Sequence, residues 1–147
     1  MLSLLPQTVL ALDPDQLAGL AKLVKENVTF EGKTIRLGAD IYLLRYEETG
    51  KPWWDGIGNA TSSTVVFKGT FDGCGHTIDQ MLAGSGGTGA ALFLNTDGAA
   101  IQNLTVIGSA ETSRWRIKGG IVGVLNNSES SGVDCYNVAT VSGGHST

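Results

Sequence analysis

Ile101-Gln102-Asn103-Leu104, running on into Thr105-Val106-Ile107-Gly108, is the stretch whose reading decides the fold. Its four-place opening (apolar, polar or variable, amide or acid, apolar) recurs upstream at Ile78-Asp79-Gln80-Met81. It recurs downstream, less strictly, at Gly132-Val133-Asp134-Cys135. The continuation recurs too, in Tyr136 to Gly143. A second element alternates with the first: Gly89-Ala90-Ala91-Leu92-Phe93-Leu94, then Lys118-Gly119-Gly120-Ile121-Val122-Gly123-Val124-Leu125. Units about 20 to 30 residues apart have the period of a parallel β-helix, where each coil consists of short strands and turns. Stacked coils align like residues in columns. Ile78 and Ile101 are expected to share one column, and Met81, Leu104 and Cys135 another, which makes Cys135 a small buried hydrophobe. Gln80, Asn103 and Asp134 are expected to share one bend, where a short amide or acid bonds turn backbone that strands leave unpaired.

Working outward, the chain from Asn27 onward is punctuated in the same way. Short apolar runs such as Thr34-Ile35-Arg36-Leu37, Asp40-Ile41-Tyr42-Leu43 and Val65-Val66-Phe67 alternate with Gly, Asn, Asp and Ser, and 21 glycines against 3 prolines call for many tight turns. Before Asn27 the period is helical. Asp13 can cap free N–H groups, Pro14 suits the first helical position, and Leu17, Leu20, Ala21 and Val24 line one face, so a helix is expected over residues 14–26. It must cover something, and the open strand edges at one end of a β-helix need covering. Residues 1–12 are mostly apolar without a basic start, and two readings stay open: a leader or trimmed signal remnant, or a leading segment packed on the fold.

Phe67-Lys68-Gly69-Thr70-Phe71-Asp72-Gly73-Cys74-Gly75-His76-Thr77-Ile78 closely resembles the F-x-G-T-F-D-G-N-G-H-T-I opening of GLUG-motif repeats, which occur in bacterial surface proteins and beside the peptidase unit of IgA-protease-like proteins. Leu17 to Val24, Phe30-Glu31-Gly32-Lys33-Thr34-Ile35, Ala39-Asp40-Ile41, Trp54 with Ile57-Gly58, and Gly120-Ile121-Val122-Gly123 are similar to further elements of the same module. Cys74 stands where Asn is usual, Gly56 replaces a common Pro, and Ala91 and Leu94 replace glycines, departures that touch turn geometry. The resemblance implies an all-β chain: a right-handed parallel β-helix with an N-terminal capping α-helix, one domain over 13–147, continuing into further repeats of the same chain. It further implies a secreted or cell-surface location and a non-catalytic structural or adhesive role.

Composition narrows the alternatives. A net charge of −4 with no Lys/Arg cluster argues against nucleic acid, and no apolar run approaches the roughly 20 residues of a membrane span. Two cysteines, Cys74 and Cys135, make neither a disulfide framework nor a metal-ligand spacing. Their pairing is disfavoured because Cys74 lies several residues out of the Cys135 column. A Ca²⁺ site on the Gln80, Asn103 and Asp134 row has too few oxygen ligands, so neither metal nor cofactor is expected. Parallel β-helices do host polysaccharide-cleaving enzymes, which need carboxylates at a set separation. Asp72, Asp79 and His76 are the best candidates, yet all three lie where turn formation accounts for them, and no catalytic residue is assigned. The candidate ligand surface is instead aromatic and basic: Trp53 and Trp115, with Arg114 and Arg116, sit in polar surroundings and suit a host glycan or protein ligand.

Overall fold

A computed structural model describes residues 8–11, 13–43, 54–83, 89–111, 120–126, 131–137 and 140–142. The N-terminal helix forms as its signals demand. α1 spans Pro14–Lys25, with Asp13 in an extended conformation accepting the Gln16 N–H at 2.8 Å. It ends in a Schellman turn. Asn27 adopts φ +69°, its N–H reaches Val24 O, and the Val28 N–H reaches Leu23 O, so the last carbonyls are bonded. Leu17, Leu20, Ala21 and Val24 are buried in the main core, as their spacing predicts.

Among the described residues twelve strands follow the order β1 Thr8–Ala11, β2 Thr34–Leu37, β3 Ile41–Tyr42, β4 Thr70–Asp72, β5 Thr77–Ala83, β6 Phe93–Asp97, β7 Ala100–Gln102, β8 Thr105–Glu111, β9 Val122–Asn126, β10 Ser131–Val133, β11 Tyr136–Asn137 and β12 Thr140–Ser142, with α1 between β1 and β2. Every pair among these described strands is parallel. One sheet has the order β1-β2-β4-β7-β10; a second has β11-β8-β5-β3 with β12 also on β8; a third pairs β6 with β9. Bridges from Ile57 to Phe93 and from Phe67 to Thr96 extend the third sheet. From β4 onward the chain visits first, second and third sheet in that order and then returns to the first. Thr34, Thr70, Ala100 and Ser131 share one register position, so the passes take 36, 30 and 31 residues. The second lies at the upper end of the expected 20 to 30, and the other two exceed it.

The core is built from columns. Ile35, Phe71 and Ile101 are neighbours in the first sheet, and Ile41, Ile78 and Val106 in the second, all buried. Phe93 sits between two aromatic neighbours, 5.2 Å from the Phe67 ring and 5.1 Å edge-on to Phe71, and Phe30 extends the stack 6.3 Å beyond Phe67.

This arrangement corrects the expected columns. Ile78 and Ile101 lie in different sheets, and Met81 pairs with Gly108 on β8. Leu104 and Cys135 do lie on adjacent passes, joined by the Tyr136 N–H to Leu104 O bond. The physical reason lies at Gln80, Asn103 and Asp134, which all adopt φ between +50° and +57°. Asn103 and Asp134 use that conformation to turn from the first sheet into the second, whereas Gln80 uses it for a bulge inside β5, where three steps on β5 match two on β8. The three residues share a conformation but not one bend.

Thr8–Ala11, within the stretch read as a leader, pairs along its whole length with Thr34–Leu37. Among the described residues no helix is long and apolar enough to cross a membrane.

Candidate functional site

Two polar constellations stand out. The first surrounds the turn from β4 to β5. Asp72 accepts the Cys74 N–H at 2.8 Å and the Asn103 side-chain amide at 3.2 Å across to the next pass. Partial burial pushes the Asp72 carboxyl up, but the bonds from the Cys74 amide and from Asn103 and Gln102 outweigh it and hold the group below the ordinary aspartate range. Asp40 accepts the Thr77 N–H at 2.9 Å and lies 3.2 Å from His76 Nδ1. The Thr77 amide is the main cause that keeps Asp40 below its usual value. Asp79 accepts the Gln80 N–H at 2.6 Å, at the bulge.

Asp72, Asp79 and His76 are therefore each tied to a turn or to the neighbouring pass. The glycines here are constrained: a side chain at Gly73 would fall on the Asn103 carbonyl, so adjacent passes touch at that position. Cys74 itself adopts φ +53°, a conformation that suits the Asn usual in the resembling motif better than Cys. Its thiol accepts from Arg36 Nε at 3.3 Å, and the Cys135 thiol, half-buried against the core, donates to Ile101 O at 3.3 Å. No disulfide joins Cys74 and Cys135.

The second constellation flanks the third sheet. Residues 59–65 form a loop held by its own side chains: Asn59 Oδ1 accepts from the Thr61 amide and hydroxyl, and Ser62 Oγ accepts from the Thr64 and Val65 amides. Asn95, 1% exposed, fastens the loop from below by donating to Asn59 O at 3.0 Å and Ser62 O at 2.8 Å, and Asn126 donates to Asn95 Oδ1 at 2.5 Å. Asp97 stands 3.6 Å from Lys68. Between loop and strands runs a groove of about 320 Å³ with Ala60, Val66 and Val124 along it and Thr61, Ser62, Ser63, Asn95, Asp97 and Asn126 supplying polar groups.

The groove is not among the sequence-derived candidates. Trp53, Arg114, Trp115 and Arg116 lie outside the described residues. Trp54, which belongs to one of the resembling elements, is buried and donates from Nε1 to Leu92 O at 3.0 Å. A signal for the groove does exist in the chain: polar Asn95-Thr96-Asp97 follows the apolar Ala90 to Leu94 run, and Asn126 follows the equivalent run one pass later. Among the described residues, no three His, Cys, Asp or Glu side chains converge as metal ligands. No family model, curated protein or solved structure matches the chain.

Proposed function

We infer that the chain is a segment of a right-handed parallel β-helix of the GLUG-motif kind, capped at one end by α1, that serves as a non-catalytic structural and adhesive module of a secreted or cell-surface bacterial protein. One observation carries this reading: the chain returns through three parallel sheets in a fixed order, with each pass laid in register on the last. Such a stack makes a stiff extended body whose neighbouring passes interact mainly with one another, and further repeats of the same chain can extend it. The commitment of Asp72, Asp79 and His76 to backbone and neighbouring side chains supports a scaffold rather than a reaction centre.

The test has two arms. Intact cells producing the protein are treated with a protease that cannot enter them, and beads coated with the purified chain are presented to host cells and to immobilised glycans. Loss of the protein from intact cells and retention of the beads are expected. In parallel, the chain is incubated with acidic and neutral polysaccharides and assayed for new reducing or unsaturated ends. Release of such ends would replace the scaffold reading with that of a carbohydrate-active enzyme fragment.

A further inference from the structure

The groove between residues 59–65 and the third sheet has what a small polar ligand needs, and the scaffold role makes no use of it. We propose that it is a binding site for a neutral pyranose, the terminal sugar of a glycan. The argument begins with preorganisation. The loop's conformation is set by bonds from Asn59, Ser62 and buried Asn95, so the polar wall does not have to be ordered when a ligand arrives.

Next comes chemistry. A pyranose has a C–H face and a hydroxyl edge, and the groove offers both complements: a small apolar floor presented mainly by half-buried Val124 beside the nearly buried Ala60 and Val66, and hydroxyl, amide and carboxylate groups from Thr61, Ser63, Asn126 and Asp97. The Lys68 ammonium 3.6 Å from Asp97 offsets the only carboxylate among the described lining residues, so that part of the wall is close to neutral and favours an uncharged ligand over an anion. A volume of about 320 Å³ fits one sugar ring and part of a second, at the small end of ligand sites. No aromatic ring lines the groove among the described residues, so affinity comes from hydrogen bonds and a small apolar floor, and the dissociation constant falls in the millimolar range expected of a weak single contact. Repetition on a surface protein converts weak contacts of this kind into firm attachment.

The proposal concerns residues distinct from Trp53 and Trp115 and stands or falls separately from the scaffold reading. The purified full chain, uniformly labelled with nitrogen-15, is titrated with glucose, galactose, mannose and N-acetylglucosamine while amide and side-chain amide resonances are followed. With at least one sugar, saturable shifts are expected at Ser62, Ser63, Asn95, Asp97 and Asn126. Asp97→Asn and Ser63→Ala should each weaken binding three- to tenfold while the rest of the spectrum confirms an intact fold. Absence of saturable shifts with all four sugars would overturn the proposal. So would shifts confined to other residues, or undiminished affinity in both variants.

Discussion

Met81 on β5 lies directly beside Gly108 on β8, and the missing side chain of that glycine is what lets the bulge at Gln80 fit between the two strands. Gly108 has φ +150°, and a Cβ there would fall on the Met81 carbonyl oxygen. The bulge thus needs two cooperating residues on different passes: one that accepts a left-handed conformation and one with no side chain.

Gly108→Ala is accordingly expected to destabilise the chain by about 3 kcal/mol, since both the backbone conformation and the space are wrong for a methyl group. Urea unfolding followed by far-ultraviolet circular dichroism measures this. A loss under about 1 kcal/mol would mean that β5 and β8 can slide to remove the bulge.

Phe93 holds the aromatic stack together, touching both Phe67 and Phe71. Phe93→Ala should cost about 3–5 kcal/mol, and Phe93→Leu clearly less, because a branched aliphatic refills much of the volume. The same unfolding experiment separates the two, and equal losses would show that ring geometry matters more than volume.

Asn95→Ala removes two donors from the loop and leaves the Asn59 and Ser62 carbonyls without them. A loss of about 2 kcal/mol is expected. Faster hydrogen exchange of the Ser62 and Val65 amides should accompany it, with the β4 and β7 amides unchanged. Uniform acceleration throughout the chain would show instead that the loop and the sheets open together.

Acid should weaken the fold through Asp72 and Asp40. Both carboxyls sit below their ordinary values in the folded chain, so in the window just under the unfolded aspartate pKa, about 3.9, the unfolded state binds more protons and stability falls as pH falls. Their contribution is complete above that value and disappears once the pH has passed through the lower folded pKa. Urea midpoints of the parent chain should therefore drop between about pH 5 and about pH 2. Asp72→Asn should start lower at neutral pH and drop less across the same range. Parallel curves for parent and variant would remove Asp72 from the account.

The helix and most strands can be read from residues alone because their causes are local: Asp13 and Pro14 start α1, and the apolar runs at Ile35 and Ile41 are bounded by turn residues. The mistaken column came from a real likeness. An apolar residue, a spacer, a left-handed residue and a second apolar residue serve equally for the bulge at Gln80 and for the turns at Asn103 and Asp134. Only the partner strand distinguishes them, and it lies 27 residues away in the case of Met81 and Gly108. The groove was hidden for a related reason. Asn59, Ser62 and Thr64 look like ordinary turn punctuation, and nothing in the chain near them announces that Asn95 and Asn126 will meet them.

β1 pairs with β2 along its whole length on the side away from β4. A protein cut or started after Ala11 would keep α1 yet leave the outer row of β2 amides and carbonyls unpaired, a template on which strands of other molecules can grow. The four residues of β1 thus decide whether that side of the first sheet ends on β1 or on β2.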